Sequence, residues 1–269
     1  MSSTSLNETT ITLNACSNTV SVLKSRPVYQ LFSHYYDELT YDMPYGLWLD
    51  IIRQFKGGRR TVLDIGCGTG RLTAQLPFDE IIGMDQSDMM IDVARQESGG
   101  NISYVQGDMK DFDLGRQFDM VTATVDVLNY CQDEGEVLAV LENVYNHLTP
   151  GGLFIFDIHS VFKMTNDFND VTYSDETDHI TYIWNAIKGE APLSVIHDMT
   201  FFIKEEETSD LYRKVQETHV QRTYTHKDML QLIDRSGFII DTAFSDFDAE
   251  NAVTEVCDRV FYILKKKQR

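Results

Sequence analysis

A short apolar strand that breaks into a glycine-rich turn is the feature that most restricts the fold of this chain. Residues 62–65 are apolar apart from one aspartate, and Gly66, Gly68 and Gly70 follow at every second position. A second apolar run ends at Asp85. Glycines allow positive φ and close approach of a ligand to the backbone, and a helix start offers free N–H groups. The pattern predicts a strand–turn–helix unit that binds a nucleoside-bearing cofactor.

Strand-like and helix-like segments alternate after this turn. The predicted strands are 60–65, 81–85, 103–106, 118–123, 153–157, 238–244 and 260–265, and the predicted helices between them are 70–76, 87–97, 133–147 and 225–235. Short apolar runs separated by helices are typical of a parallel sheet that is covered on both faces. We therefore predict an α/β fold with a doubly wound, seven-stranded, mostly parallel sheet.

The sequence period changes from about residue 171. Polar and apolar side chains alternate over 181–184, 194–203 and 211–224, with polar turns between these runs. This pattern predicts an antiparallel sheet inserted after the fifth strand. We divide the chain into a flexible N-terminal tail (1–26), aromatic N-terminal helices with the cofactor-binding core (27–160), the inserted sheet (161–222) and the C-terminal completion of the core (223–269).

Composition and net charge make several classes of function less favoured. The net charge of −19 at pH 7 repels nucleic acid and anionic membrane surfaces at long range. The four cysteines are scattered without CxxC spacing, so we predict neither disulfides nor a metal site. No apolar run approaches the ~20 residues that a membrane span needs, and the first residues lack the pattern of a signal peptide. We expect a cytoplasmic protein.

The details of the glycine turn separate two classes of nucleotide site. A dinucleotide turn has the pattern G-x-G-x-x-G, but the position of its last glycine is occupied by Arg71, and the lysine of a P-loop is absent. The run 64–70 instead resembles the first motif of class I S-adenosylmethionine-dependent methyltransferases. The resemblance continues through 83–90, 107–109 and 148–153, and it covers roughly residues 27–269.

Within these enzymes, a narrower group is similar to this chain. The inserted sheet and the runs 35–39 and 221–224 resemble those of the bacterial YqeM-like methyltransferases. Amino-sugar N-methyltransferases have a similar inserted sheet. The resemblance implies the Rossmann-like class I methyltransferase fold, S-adenosyl-L-methionine as the cofactor and S-adenosyl-L-homocysteine as the product.

The resemblance also implies roles for residues at the ends of successive strands. Asp64 and the backbone of the turn would hold the methionine part, Asp85 the ribose hydroxyls, and Asp108 the adenine amino group. Asp126 would lie near the methionine end, and Tyr36 would close over it. The predicted cofactor-binding residues are Tyr36, Asp64, Gly66, Cys67, Gly68, Gly70, Asp85, Gln86, Met90, Asp108, Met109 and Asp126.

Methyl transfer from a sulfonium is an in-line displacement, so the protein mainly orients the acceptor and excludes water. A general base is needed only when the acceptor is protonated at neutral pH. Ligands bind at the carboxyl ends of the strands in open α/β sheets, so His159, just past the predicted fifth strand, is the candidate base. The other catalytic candidates are Asn129 after the fourth strand, Arg222 at the end of the inserted sheet, and Tyr36.

Three hypotheses remain for the function. The favoured one is methyl transfer to an N or O atom of a small molecule, with the inserted sheet forming the acceptor pocket or a homodimer surface. An RNA- or protein-directed enzyme is the second; a basic strip around Arg213, Lys214 and Arg222 favours RNA and the net charge opposes it. Residues 126–130 lack the proline pair of enzymes that methylate exocyclic base amines. The third is a protein that holds the cofactor without turnover.

Overall fold

A computed structural model describes residues 43–100, 102–205 and 211–268 of the chain. The predicted N-terminal tail, the first predicted aromatic helix (28–39) and Tyr36 lie outside the described residues. The second predicted aromatic helix, over residues 45–55, is present as Tyr45–Lys56. No helix in the described part of the chain is long and apolar enough to cross a membrane.

Helices and strands alternate through the core of the molecule. The helices are α1 (Tyr45–Lys56), α2 (Asp88–Glu97), α3 (Glu134–His147), α4 (Val161–Asn166) and α5 (His226–Ser236). The core strands are β1 (Thr61–Ile65), β2 (Glu80–Asp85), β3 (Ile102–Gln106), β4 (Phe118–Ala123), β5 (Leu148–His159), β10 (Ile239–Ser245) and β11 (Arg259–Lys265). They form one sheet in the order β10-β11-β5-β4-β1-β2-β3, in which β11 runs antiparallel to its neighbours. This confirms the predicted seven-stranded, mostly parallel α/β fold.

Alternating side chains of the strands supply two apolar layers. Leu63 and Phe156 belong to the layer that packs against α3 and α5, whereas Val62 and Ile155 pack against α1 on the other face. Full burial of a side chain of this size stabilises the fold by about 1.5–3 kcal/mol. Because helices cover both faces, the central strands carry apolar side chains on both faces instead of on one.

Two local predictions are wrong. The helix expected at 70–76 is a single 3₁₀ turn at Thr73–Gln75. Leu76 precedes a proline, which disfavours helical backbone in the preceding residue, and Leu76 is extended. The fifth strand is longer than predicted, because β11 pairs with it as far as Arg259 opposite His159. His159 is therefore the last residue of β5 and does not lie beyond it.

The segment after β5 leaves the core sheet. Four strands follow α4: β6 (Val171–Glu176), β7 (Ile180–Lys188), β8 (Ser194–Lys204) and β9 (Tyr212–Arg222). They form an antiparallel sheet in the order β6-β7-β8-β9. This confirms the predicted inserted sheet. The structure adds β6, which the sequence pattern does not predict as a separate strand. The domain boundaries stay a prediction.

Candidate active site

The carboxyl ends of five neighbouring strands bring predicted site residues to one edge of the core sheet. Asp64 is the penultimate residue of β1, Asp85 ends β2, and Asp108 follows β3. Asp126 follows β4 and His159 ends β5. Because the strands are adjacent in the order β3-β2-β1-β4-β5, these side chains belong to the edge where open α/β sheets bind ligands.

Two glycines shape the turn after β1. Gly66 has φ +71°, and a Cβ atom there would clash with the side chain of Val127. Gly68 has φ +54°, and a Cβ atom there would meet no atom of the described residues within 4 Å. A ligand can therefore approach the backbone at Gly68 closely on the side of these residues. The turn fits the adenosine-bearing cofactor that the sequence implies.

Asp85 holds this turn against the start of α2. Its Oδ2 accepts a hydrogen bond from the Gly68 N–H at 2.9 Å, and its Oδ1 accepts one from the Ser87 N–H at 2.9 Å. Burial raises the pKa of Asp85, although these backbone bonds oppose the rise. A carboxylate has about four acceptor positions, so Asp85 keeps lone pairs for the two hydroxyls of a ribose.

Asp64 ties the turn to β4. Its Oδ2 accepts from the Thr73 hydroxyl at 2.6 Å and its Oδ1 accepts from the Thr122 hydroxyl at 2.8 Å. The side chain is buried, and burial raises its pKa to about 6 in spite of the two hydroxyl donors. The contacts of Asp64 are thus internal to the protein, and its contact with the cofactor stays a prediction.

We expect the Asp64→Asn variant to change how stability depends on pH. Between pH 3.8 and about 6, folded wild-type protein holds a proton on Asp64 that the unfolded chain has released. The wild-type free energy of unfolding therefore falls as pH rises through this window, on the order of 2–3 kcal/mol relative to the variant. Urea unfolding across this pH range measures the difference between the two proteins, and parallel curves would contradict the assignment.

The remaining predicted cofactor residues surround the same turn. Cys67 is buried, and burial raises the pKa of its thiol, so the side chain packs as an uncharged group. Gln86 is exposed beyond β2, and Met90 is half-buried in the first turn of α2. Asp108 and Met109 are half-buried after β3. Their contacts with the cofactor stay predictions.

The backbone after β4 is held in an uncommon conformation. Val125 and Asp126 have φ values of +62° and +55°. The carboxylate of Asp157 accepts hydrogen bonds from both of their N–H groups, at 2.9 and 3.2 Å. Arg259 donates to Asp157 and, at 3.1 Å, to Asp126. Such strain persists only where the surroundings over-determine it, and here the buried carboxylate of Asp157 and the guanidinium of Arg259 do so.

His159 is buried beside Asp126. Its Nε2 lies 3.5 Å from Asp126 Oδ1, and its Nδ1 has no hydrogen-bond partner among the described residues. Burial alone would raise the pKa of Asp126, but His159, Arg259 and a hydrogen bond from Gln221 hold it well below its usual range. Buried polar atoms without a partner are rare. An imidazole with a carboxylate at one nitrogen and no partner at the other has the arrangement of a general base.

Asn129 and Arg222, the other described catalytic candidates, have structural partners. Asn129 is fully buried; its Oδ1 accepts from the His159 N–H at 3.0 Å and its Nδ2 donates to the Arg222 carbonyl at 3.0 Å. The Arg222 guanidinium donates to the Gln132 carbonyl at 2.6 Å. Asn129 thus fixes the backbone at the end of β5, and Arg222 binds the loop after β4.

Several residues of this edge are not predicted by our sequence reasoning. Asp157 is the one acidic residue of β5, and Arg259 is followed in β11 by five apolar residues, 260–264. A lone charge in such a strand is a usable signal, because a buried charge needs a partner of opposite sign. Gln221 and His197 carry no such signal, since alternating strands of an antiparallel sheet contain many polar residues.

Comparison with protein families and curated proteins gives consistent matches. The family described as "Methyltransferase domain" matches residues 62–152. YqeM of Bacillus subtilis (strain 168), a methyltransferase by name, is 34% identical over 247 residues, which cover 90% of this chain and 98% of YqeM. The dTDP-3-amino-3,6-dideoxy-alpha-D-glucopyranose N,N-dimethyltransferase of Streptomyces fradiae is 29% identical over 109 residues, which cover 40% of this chain and 42% of that enzyme.

Solved structures share the fold. An S-adenosylmethionine-dependent methyltransferase from Clostridium acetobutylicum ATCC 824 has a TM-score of 0.78 at 25% identity, over 89% of this chain and 99% of the other. CalS10 of Micromonospora echinaspora, an amino pentose methyltransferase solved with S-adenosylmethionine bound, has a TM-score of 0.64 at 17% identity, over 94% of this chain and 100% of the other.

Proposed function

Because this chain belongs to the YqeM-like S-adenosylmethionine-dependent methyltransferases, we propose that it methylates an N or O atom of a small molecule. The acceptor would lie between the carboxyl edge of the core sheet and the inserted sheet. The observation that carries this proposal is the contact between His159 and Asp126 at that edge, with the His159 Nδ1 atom left without a described partner. The partial similarity to an amino-sugar N,N-dimethyltransferase favours an amine nitrogen as the acceptor atom.

S-adenosyl-L-methionine is the cofactor of this enzyme, and its sulfonium supplies an activated methyl group. We propose that Asp85 accepts hydrogen bonds from the ribose hydroxyls and that the backbone at Gly68 borders the nucleoside. Asp108 would accept from the adenine amino group. Each of these residues follows or ends a strand at one sheet edge, so they can contact one extended ligand together.

His159 is the proposed base for an acceptor that carries a proton. The bound cofactor would supply the methyl carbon that the acceptor lone pair attacks, and its sulfur would leave with the electron pair of the broken carbon–sulfur bond. The proton of the acceptor passes to His159 Nδ1. The resulting imidazolium is stabilised by Asp126, whose Oδ1 lies 3.5 Å from Nε2. A positioned base of this kind contributes about 10²–10⁴-fold to a rate.

Charge and contacts argue against an RNA acceptor. The net charge is −19, and the basic strip expected on the inserted sheet is neutralised in part. Arg213 pairs with Glu205 at 2.8 Å, and the Arg222 guanidinium donates to a backbone carbonyl. A cytoplasmic location and a homodimer through the inserted sheet are part of the same proposal; the three cysteines among the described residues, which are free and buried, support the first.

A labelled-methyl screen tests the acceptor. The purified enzyme is incubated with methyl-labelled S-adenosylmethionine and with separate metabolite, RNA and protein fractions of a bacterial extract. We expect label in the metabolite fraction that passes an ultrafiltration membrane, and none with heat-inactivated enzyme. Label only in RNA or protein would overturn the proposal. Binding of S-adenosylhomocysteine without transfer to any fraction would favour a protein that holds the cofactor without turnover.

A further inference from the structure

A chain of hydrogen bonds joins the inserted sheet to the core sheet. Trp184 Nε1 on β7 donates to His197 Nδ1 on β8 at 3.0 Å, and His197 Nε2 lies 3.2 Å from Gln221 Oε1 on β9. Gln221 Nε2 then donates to Asp126 Oδ2 at 2.8 Å. His197 and Gln221 are both buried, so water does not compete for these bonds.

The direction of every bond in this chain is fixed by its ends. The carboxylate of Asp126 accepts only, so the Gln221 amide must turn its NH₂ group to Asp126 and its oxygen to His197. His197 must therefore donate from Nε2, and its Nδ1 must be unprotonated to accept from Trp184. His197 is neutral in this arrangement, in agreement with burial and the nearby His159, which lower its pKa to about 4.

We propose that Gln221 is a positioning residue for methyl transfer: it fixes the carboxylate of Asp126 and thereby the orientation of His159. This inference rests on the proposed role of His159 as the base. Asp126 Oδ1 accepts from Arg259 at 3.1 Å and Oδ2 accepts from Gln221, so both of its oxygens are held. The inserted sheet then does more than cover the acceptor, because it supplies one of the two supports of the carboxylate behind His159.

A test of this role must separate the effect of Gln221 from the effects of the other charged and titratable groups around His159. Asp126 lies 3.5 Å from its Nε2, Arg259 is its pairing partner on β11 and donates to Asp126, and His197 interacts with it electrostatically. Loss of the Gln221 bond leaves each of these groups in place. A change in the ring ¹⁵N signals of His159 then reports on the position of Asp126.

Two substitutions at Gln221 and one control make the test. Gln221→Met keeps the length of the side chain but removes both hydrogen bonds. Gln221→Glu keeps both bonds when its carboxyl is protonated and loses the bond to Asp126 when it ionises. Gln216→Met is the matched control, because Gln216 lies on the opposite face of β9 and donates to Thr200 at 3.4 Å. ¹⁵N NMR of the histidines and binding of S-adenosylhomocysteine are measured for all proteins.

We expect Gln221→Met to change the ring ¹⁵N shifts of His159, because the Asp126 carboxylate, 3.5 Å from its Nε2, loses its hydrogen bond from Gln221, with S-adenosylhomocysteine affinity unchanged. The His159 shifts in Gln221→Glu should match wild type at pH values where the introduced carboxyl is protonated and should depart from wild type where it ionises, and Gln216→Met should match wild type throughout. Once an acceptor is known, kcat of Gln221→Met should fall about tenfold or more. Wild-type His159 ¹⁵N shifts in Gln221→Met, or an equal change in Gln216→Met, overturn the inference. The NMR measurement needs no acceptor. It therefore tests the role of Gln221 even if the labelled-methyl screen finds no product.

Discussion

The Arg259→Met variant is expected to lose about 3–5 kcal/mol of unfolding free energy, as is typical when one partner of a buried ion pair is removed. Arg259 is nearly buried and donates to Asp157 and Asp126, and it lies 5.1 Å from the ring centre of Trp48. Without the guanidinium, the buried carboxylate of Asp157 and the partly buried carboxylate of Asp126 lose the cation between them. Urea unfolding of the purified protein measures the loss.

The surface pair of Arg235 and Glu134 offers a matched control. The two groups are 3.8 Å apart and their side chains are 59% and 58% exposed. Exposed pairs of this kind contribute about 0–1 kcal/mol, so Arg235→Met should leave stability nearly unchanged. Salt should weaken the effect of Arg235→Met and leave that of Arg259→Met almost intact, because buried pairs are poorly screened. Equal losses in both variants would contradict the role assigned to Arg259.

The expected loss of stability in Arg259→Met follows from the contacts that the Arg259–Asp157 ion pair holds in place. Asp157 accepts hydrogen bonds from the backbone of Val125 and Asp126 and, at 2.9 Å, from Trp48 Nε1. The pair therefore joins α1, the end of β5 and the strained segment after β4. We expect Arg259→Met to lower affinity for S-adenosylhomocysteine as well, because the edge beside the glycine turn loses its support.

The core sheet is predictable from sequence because its signals are local. Each core strand is a short apolar run, and turn residues or helices with recognisable caps separate most of the strands. Thr225 caps α5 by accepting from the Asp228 N–H, and Gly237 ends the helix with φ +84°. The glycine turn and the acid at the end of β2 are likewise within one strand–turn–helix unit.

The contacts of the site are not predictable in the same way, because they join residues that are far apart along the chain. Arg259 meets Asp126 across 133 positions, and Gln221 meets Asp126 across 95. Nothing in the local pattern of β9 distinguishes Gln221 from Gln216, although only Gln221 faces the core edge. The 3₁₀ turn in place of a helix at 70–76 has a local cause, the proline after Leu76.

The Asp85→Ala variant is expected to bind S-adenosylhomocysteine ~100-fold more weakly than wild type. Loss of two charge-assisted hydrogen bonds to ribose hydroxyls costs about 3 kcal/mol. The variant also loses the bonds by which Asp85 holds the Gly68 and Ser87 N–H groups, which loosens the turn itself. Asp88→Ala is the matched control, because Asp88 is exposed in the first turn of α2, a few residues away.

Isothermal titration calorimetry of S-adenosylhomocysteine with wild type, Asp85→Ala and Asp88→Ala tests the cofactor site most directly, with circular dichroism as the check on folding. We predict saturable one-to-one binding by wild type and by Asp88→Ala, and a dissociation constant ~100-fold higher for Asp85→Ala. No binding by folded wild-type protein, or equal affinity in all three proteins, would contradict a cofactor site built on the glycine turn and Asp85.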